Sequence, residues 1–295
     1  MMADAETPIL GTGLSGLVGS RVVELLSNEF KFENISRIAG TDITNKKAVD
    51  QKLAQSQAEW IVHFAAKTDV DACELEKQQK EKSESWQINV GGTENIVLTA
   101  QKYHKRVLFI STDFVFDGTK PYYSENDLPN PPNWYGLTKY EAEKIILQYP
   151  QNIVLRIAYP YQAQKFTKPD FVHAISHKLK TTGQVSAVID QYFCPTFIDD
   201  IAQALKLLIS DKQSGVFHAV GSQTIASYEA ALEIARFLGI PADTVRGVTR
   251  QEYYQGKAIR PYKLSLKNDK ITSLGMHLKT LTEGLLHIKG QGFTL

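Results

Sequence analysis

The 295-residue sequence contains little cysteine, no excess of either charge and no long apolar run. Its two cysteines, Cys73 and Cys194, lie far apart and form no Cys-x-x-Cys pair, which argues against a disulfide scaffold and a structural zinc site. Lys and Arg number 33 and Asp and Glu 32, so the chain lacks the basic excess of typical nucleic-acid-binding proteins. No segment approaches the ~18 apolar residues of a membrane-spanning helix. We therefore expect no metal site, no nucleic-acid partner and no membrane segment.

The amino-terminal residues 1–10, MMADAETPIL, lack the basic and apolar regions of a signal peptide. Together with the low cysteine content, this favours a cytoplasmic location. Hydrophobic residues make up 43% of the chain and charged residues 22%, as is typical of folded globular proteins. The length fits two small domains or one large domain.

Short apolar segments alternate with segments of helical periodicity through the first half of the sequence. The candidate strands read as continuous apolar runs, as expected for parallel strands buried on both faces. They cover residues 9–10, 35–39, 60–66, 106–111 and 153–157. The candidate helices between them cover residues 17–26, 46–54, 71–80, 86–103 and 134–147. This alternation predicts an α/β fold with a doubly wound parallel sheet.

The second half of the sequence is less regular. Helical patterns at 171–179, 199–209 and 228–238 are separated by short strand-like segments at 185–189 and 216–220. We predict that residues 1–160 form a nucleotide-binding domain and that residues 161–295 mostly form a smaller α/β substrate domain. Parts of about 196–220 are expected to return to the first domain.

A glycine-rich segment at residues 11–19, GTGLSGLVG, follows the first strand and opens the first helix of the prediction. Glycines allow a sharp turn and a close approach of the backbone to a pyrophosphate, and a helix amino terminus offers free N–H groups to phosphate oxygens. A G-x-G-x-x-G motif is a weak signal by itself, but here it has the required strand-to-helix context. The segment predicts a Rossmann-type dinucleotide site.

The residue that distinguishes NADP from NAD is expected about 20 residues after the glycines, at the end of the second strand. An acidic residue there binds the free ribose 2′-hydroxyl of NAD, whereas an arginine pairs with the 2′-phosphate of NADP. Arg37 lies nearest to that position, and Asp42 follows in the next loop. Arg37 favours NADP, with NAD as the alternative, and an ordinary surface arginine is the other interpretation.

Tyr135 and Lys139 lie four residues apart on a predicted helix and therefore on one face. A nearby ammonium group lowers the pKa of a tyrosine, which can then exchange a proton with a carbonyl or alcohol oxygen during hydride transfer. The spacing alone does not identify the pair, because it recurs elsewhere. The other pairs are Tyr140/Lys144, Tyr161/Lys165 and Tyr253/Lys257.

Position along the chain favours Tyr135 and Lys139. The apolar strand at 106–111 ends beside Thr112, and ligands of open parallel sheets bind at the carboxyl ends of strands. The proline-rich loop at 129–132 then leads into the helix that carries Tyr135. Tyr140 lies about 140° further around that helix and cannot share its face.

With these residues, the chain resembles the extended short-chain dehydrogenases/reductases, and within them the dTDP-4-dehydrorhamnose reductase branch. The most specific matching segment is STDFVFDG at residues 111–118. The others follow in family order at residues 12–19, 42–44, 65–71, 89–93, 129–131, 135–139, 195–196 and 260–261. The resemblance therefore covers nearly the whole chain.

The resemblance implies NADPH-dependent reduction of a nucleotide-linked 4-keto-6-deoxy sugar, from dTDP-4-dehydrorhamnose to dTDP-L-rhamnose. The implied catalytic residues are Thr112, Tyr135 and Lys139, with Asn89 in support. The implied sugar contacts are Asp113 and Val115, together with Thr112 and Tyr135. The expected cofactor contacts, to which Arg37 is added by its position, are Gly13, Ser15, Gly16, Leu17, Arg37, Asp42, Ile43, Ala65, Ala66, Lys67, Tyr135 and Lys139.

In this reaction Tyr135 is expected to protonate the sugar oxygen while Thr112 polarises the carbonyl. Lys139 is expected to lower the pKa of Tyr135 and to hold the nicotinamide ribose. One departure from the family follows Arg156, where the family has a tryptophan and then a Tyr-Gly pair near the sugar. This chain has IAYPYQ at residues 157–162.

Two other functions fit the same sequence. A sugar-nucleotide epimerase or dehydratase could use the same three catalytic residues. The fold also serves as a non-catalytic regulatory subunit, as in the methionine adenosyltransferase β chain, which the region of Arg260 and Pro261 also resembles. We expect a monomer or a homodimer. The family resemblance implies that the helices at 86–103 and 134–147 would pair across the two-fold axis of a homodimer.

Overall fold

The computed structural model describes residues 7–293, and its centre is a six-stranded parallel sheet. The strands of this sheet are β1 Thr7–Thr12, β2 Phe30–Ile35, β3 Trp60–His63, β4 Arg106–Thr112, β5 Ile153–Ile157 and β10 Gly215–His218. Their order across the sheet is β10-β5-β4-β3-β1-β2. The order reverses between β1 and β3, and open α/β sheets bind ligands at such a reversal. The doubly wound Rossmann-like fold predicted from the sequence is confirmed.

Helices cover both faces of the sheet. The helices of the chain are α1 Leu17–Leu26, α2 Lys46–Gln55, α3 Val70–Leu75, α4 Glu84–Trp86, α5 Thr93–Lys102, α6 Trp134–Leu147, α7 Phe171–Thr182, α8 Ile198–Ser210, α9 Ser227–Phe237, α10 Arg250–Tyr253, α11 Asp269–Thr272 and α12 Leu281–Gly290. Apolar residues of α1 and α8 pack on one face of the sheet, and those of α2, α5 and α6 pack on the other. The inner strands β3, β4 and β5 are therefore buried on both sides, as their continuous apolar runs predict.

The chain beyond β5 forms a smaller α/β region. Its short strands are β6 Pro160–Tyr161, β7 Val185–Val188, β8 Tyr192–Phe193, β9 Thr196–Phe197, β11 Ile225–Ala226 and β12 Val245–Val248. They pair as β6 with β9, β7 with β12 and β8 with β11, and they pack with α7, α9 and α12. Between them the chain returns to the main sheet, where β10 pairs with β5. The division into two domains near residue 160 stays a prediction.

The second strand differs from its predicted position. It covers Phe30–Ile35 rather than 35–39, and it pairs with β1 along its whole length. As an edge strand it has partly exposed residues between its buried ends, so it lacks the continuous apolar run of an inner strand. The apolar Ile38, which suggested the later position, is 97% exposed. Arg37 consequently lies in the loop after β2 and not within the strand.

Two predicted helices are broken. The segment predicted as one helix at 71–80 is α3 followed by a 3-10 turn at Lys77–Lys82. The segment at 86–103 begins with the end of α4 and a π-turn at Gln87–Gly92 before α5. A π-turn inserts an extra residue into a helix and is frequent at functional sites. Here it contains Asn89, one of the predicted site residues.

Across residues 7–293, no helix is long and apolar enough to cross a membrane. The same part of the chain contains no group of three or more His, Cys, Asp or Glu side chains placed to hold a metal ion. Cys73 and Cys194 are both free and buried.

Candidate active site

A cleft of about 1030 Å³ opens at the carboxyl ends of the parallel strands, where the strand order reverses. The loops after β1, β2 and β3 line it, together with the last residues of β4 and β5. Of the predicted site residues, Asn89 and Val115 do not line the cleft. Those that do are Gly13, Ser15, Gly16, Leu17, Arg37, Asp42, Ile43, Ala65, Ala66, Lys67, Thr112, Asp113, Tyr135 and Lys139.

The glycine turn after β1 packs tightly against neighbouring backbone. Gly13 has a φ of +65°, in the left-handed region, and a Cβ added there would lie 2.6 Å from the backbone nitrogen of Ala65. Only glycine satisfies both conditions. Helix α1 begins after Gly16, with no capping side chain and no acidic residue in its first turn. The helix amino terminus is therefore open to an anionic group.

Arg37 and Asp42 form an ion pair at the rim of the cleft. Arg37 Nε lies 3.3 Å from Asp42 Oδ2, and the Arg37 side chain is 66% exposed. Asp42 also accepts hydrogen bonds from the backbone N–H and the hydroxyl of Thr44. These bonds, the backbone N–H first, and the charge of Arg37 lower the pKa of Asp42. The carboxylate is held in its loop, while the guanidinium stays accessible to a phosphate.

Asn89 is buried behind the cleft and joins two of its walls. Its Oδ1 accepts a hydrogen bond from Lys67 N at 2.8 Å, and its Nδ2 donates to Lys67 O at 3.1 Å. The same Nδ2 donates to Thr138 Oγ1 at 2.9 Å. Asn89 therefore fixes the loop after β3 against α6. Its contacts make it a positioning residue for the cleft.

Thr112 ends β4 inside the cleft, and Asp113 begins the turn that follows it. Thr112 Oγ1 accepts from Phe114 N at 3.2 Å and donates to Asp113 Oδ1 at 3.1 Å. The other carboxyl oxygen, Asp113 Oδ2, is buried without a hydrogen-bond partner among residues 7–293. Burial raises the pKa of Asp113 to about 7. Near neutral pH this carboxyl group can therefore either donate or accept a hydrogen bond.

Tyr135 and Lys139 lie on the first turns of α6, whose amino end is capped by the Asn133 side chain. Lys139 Nζ donates to the carbonyl of Ile110 at 2.7 Å and lies 3.9 Å from the centroid of the Phe109 ring. Burial lowers the pKa of Lys139 to about 7. At neutral pH the Lys139 side chain is therefore close to the midpoint of its titration.

The prediction that Lys139 lowers the pKa of Tyr135 is wrong for this structure. Burial raises the pKa of Tyr135 above its ordinary value, and hydrogen bonding by Thr112 opposes the shift only in part. The ammonium of Lys139 is directed to the Ile110 carbonyl instead. Tyr135 therefore keeps its proton at neutral pH, as a proton donor must.

Val115 lies in the core and not on the cleft wall where the sugar was expected. It is fully buried, in a cluster with Phe116 and Leu264. The 3-10 turn at Asp113–Val115 is the reason, because residues two apart in a three-residue turn point in different directions. Asp113 faces the cleft and Val115 faces away from it.

The cleft contains residues for which the sequence predicted no role. Arg260 donates from Nη1 to Asp71 Oδ1 at 2.7 Å, which ties the carboxyl-terminal part of the chain to α3. Tyr159 follows β5 with a φ of +41°, which costs a non-glycine residue about 1–3 kcal/mol. The departure from the family after Arg156 was the only signal for Tyr159. Phe166, Lys168 and Pro169, from the chain after β6, also line the cleft.

Comparison with known proteins places this chain in a family. The family model described as RmlD substrate binding domain matches residues 7–290. A curated dTDP-4-dehydrorhamnose reductase from Aggregatibacter actinomycetemcomitans is 30% identical over 77% of this chain and 77% of its own length. The methionine adenosyltransferase 2 subunit beta of Rattus norvegicus is 29% identical over 92% of this chain and 84% of its own length.

A solved structure shares the fold over almost the whole chain. The crystal structure of a dTDP-4-dehydrorhamnose reductase from Bacillus anthracis, in complex with NADP, superimposes with a TM-score of 0.88 and 26% sequence identity. The match covers 97% of this chain and 100% of that one. The fold of this chain is therefore one that a solved structure already shows.

Proposed function

The chain belongs to the RmlD substrate-binding domain family, and on this basis we propose that it is an NADPH-dependent reductase of a nucleotide-linked 4-keto-6-deoxy sugar. The proposed reaction converts dTDP-4-dehydrorhamnose to dTDP-L-rhamnose. One observation carries the proposal: Thr112, Tyr135 and Lys139 lie on the wall of the same cleft that the glycine turn opens into. The reductases among its relatives support the assignment of the chemistry.

The residues of the cleft fit a nicotinamide dinucleotide. The turn at Gly13 leaves no room for a side chain, and the uncapped amino terminus of α1 is suited to a pyrophosphate. Arg37 would pair with the 2′-phosphate, and Asp42 and Ile43 would lie beside the adenine. When bound, NADPH supplies the hydride that reduces the sugar carbonyl.

The side chains at the other end of the cleft would handle the proton. Tyr135, protonated because burial raises its pKa, would donate its hydroxyl proton to the sugar oxygen. Thr112 would polarise the carbonyl, and its hydrogen bond, which opposes the rise in the Tyr135 pKa, would stabilise the phenolate that remains. Lys139 would hold the nicotinamide ribose. Asp113 would contact a sugar hydroxyl through its unpartnered oxygen. Asn89 would hold the loop at Lys67 in place for the cofactor.

The test is oxidation of NADPH and NADH in the presence of dTDP-4-dehydro-6-deoxy-L-mannose generated in situ. We expect substrate-dependent oxidation that is faster with NADPH, with formation of dTDP-L-rhamnose. The proposal would be contradicted if the protein binds NADPH but none of the 4-keto sugar nucleotides tested leads to its oxidation. Conversion of a sugar nucleotide without net NADPH consumption would instead identify an epimerase or dehydratase.

A second candidate function is that of a methionine adenosyltransferase regulatory subunit. It is favoured by the relative from Rattus norvegicus, which aligns with more of this chain than the curated reductase from Aggregatibacter does. The test is addition of this protein to a methionine adenosyltransferase catalytic subunit. A complex in which the catalytic subunit works at a changed rate, together with no turnover of sugar nucleotides by this protein, would favour this candidate.

The assembly state, monomer or homodimer, and the cytoplasmic location also stay proposals.

A further inference from the structure

Tyr159 occupies an unusual position at the sugar end of the cleft. Its ring stacks on Phe193 with a centroid distance of 4.0 Å and meets the rings of Phe114 and Phe171 at 6.5 and 6.2 Å. Its backbone has the left-handed φ of +41°, which a bulky residue adopts only where the surroundings impose it. The aromatic contacts and the backbone together fix where the Tyr159 hydroxyl lies.

A chain of hydrogen bonds ends at that hydroxyl. Tyr254 donates its hydroxyl proton to Gln191 Oε1 at 2.8 Å. The other end of the same amide, Gln191 Nε2, donates to the oxygen of Tyr159 at 3.3 Å. Because Tyr159 receives a hydrogen bond on its oxygen, its own O–H proton is left to be donated. Among residues 7–293, no acceptor for that proton is present in the hydrogen-bond network.

The surroundings of Tyr159 indicate where this proton is directed. Tyr159 lines the cleft together with Asp113 and Arg260, and the charges of both act on its phenol. Burial raises the pKa of Tyr159, so the hydroxyl keeps its proton at neutral pH. Asp113 follows Thr112, the residue proposed to polarise the carbonyl. A donor at Tyr159 therefore lies at the part of the cleft where the sugar ring would sit.

We propose that Tyr159 is a specificity-determining residue, whose hydroxyl donates a hydrogen bond to a sugar hydroxyl near the reacting carbonyl, with Gln191 as its positioning residue. This inference rests on the proposed reductase function and adds the group that distinguishes one sugar from another. A site that hydrogen-bonds a substrate hydroxyl discriminates against substrates that lack it, because its own polar group is then left unpaired.

The test combines Tyr159→Phe with substrates that lack one hydroxyl. Wild type and variant are assayed with the parent 4-keto sugar nucleotide and with its 2-deoxy and 3-deoxy analogues. We expect Tyr159→Phe to lower kcat/KM for the parent about tenfold. For the analogue that lacks the partner hydroxyl, wild type and variant should have equal kcat/KM, because the interaction is already absent. The KM for NADPH should not change.

The role of Gln191 is tested by two substitutions. Gln191→Leu removes the donor to Tyr159 and should lower selectivity for the parent over the analogue. Gln191→Glu should do the same, because a carboxylate only accepts hydrogen bonds and would itself accept the one that Tyr159 donates. The double variant Tyr159→Phe/Gln191→Leu should be no less selective than Tyr159→Phe alone. Tyr192→Phe, at the neighbouring position outside the cleft, is the matched control and should keep wild-type selectivity.

The outcomes separate this inference from the proposed function. If wild type reduces the parent and Tyr159→Phe loses the same factor on all three substrates, the inference is wrong and the reductase function stands. If wild type reduces none of them, both are wrong. NADPH affinity and melting temperature, measured for each variant, exclude a loss of fold as the cause of lower activity.

Discussion

The two ends of the cleft are lined by different kinds of groups, backbone at one end and buried titratable side chains at the other. At the end proposed to bind the dinucleotide, the glycine turn and the open amino terminus of α1 form the wall, and the exposed Arg37 is paired with the half-buried Asp42. At the reaction end, Asp113, Tyr135 and Lys139 are buried, and none of them forms a salt bridge with another described residue. We therefore expect phosphate binding to depend on local turn geometry, and the reaction to depend on pKa values that burial sets.

The largest effect is expected at the reaction end, from Tyr135→Phe. Removing the phenol hydroxyl removes the proton donor, and general acid catalysis contributes about 10²–10⁴-fold. We expect kcat to fall by about that factor while NADPH affinity, measured by fluorescence titration, is nearly unchanged. Tyr140→Phe, further along the same helix and outside the cleft, should keep wild-type activity. Activity of Tyr135→Phe within a fewfold of wild type would contradict the assignment.

The dinucleotide end is tested by Gly13→Ala. The added Cβ meets backbone at 2.6 Å in a left-handed conformation, so the turn must shift. We expect NADPH affinity to fall by about tenfold or more, and the free energy of unfolding to fall by about 1–3 kcal/mol. Gly239→Ala is the matched control, because its φ is +69° but its Cβ would meet nothing within 4 Å. Equal NADPH affinity in the two variants would show that the turn at Gly13 does not hold the cofactor.

A smaller effect is expected from Arg37→Gln at the rim. An exposed arginine that pairs with the 2′-phosphate contributes to NADPH binding through one charge-assisted contact. We expect kcat/KM with NADPH to fall about tenfold and kcat/KM with NADH to stay the same, because NADH has no 2′-phosphate. The control is Arg246→Gln, a surface arginine away from the cleft. If kcat/KM falls by the same factor with NADPH and with NADH, Arg37 has a structural role instead.

The last expected effect is on stability alone, a dependence of the free energy of unfolding on pH that comes from Lys139. Its pKa of about 7 in the folded, cofactor-free protein lies below the 10.5 of an ordinary lysine. Above pH 7 the unfolded chain thus binds more protons than the folded one, and this group makes the free energy of unfolding rise with pH. The rise is at most about 1.4 kcal/mol per pH unit.

Lys139→Met should abolish that contribution between pH 7 and 9, as measured by urea denaturation at several pH values. Lys144→Met, a half-exposed lysine on the same helix, is the control and should keep the wild-type slope. If Lys139→Met and wild type show the same slope, the lysine is charged in the folded protein throughout this range.

The same contrast explains which parts of the site the sequence could predict. Gly13 and Tyr135 were found because a turn and a helix face have fixed residue spacings. Arg37 was placed at the right rim although β2 begins and ends earlier than predicted, because the loop after the strand still reaches the cleft. The direction in which the Tyr135 pKa shifts was not predictable, because it depends on burial of the side chain by the whole fold. The left-handed backbone of Tyr159 was not predictable either, because nothing local requires it.

The position of β10 in the sheet affects how the chain can fold during synthesis. Its partner β5 ends at Ile157, and β10 begins at Gly215, about 60 residues later. At ~5–20 residues per second, a ribosome needs several seconds to supply the missing strand. During that time β5 is an edge strand with unpaired backbone groups, which is the kind of edge that promotes aggregation. A fragment that stops at residue 160 would keep that edge permanently, so it should be difficult to obtain by itself.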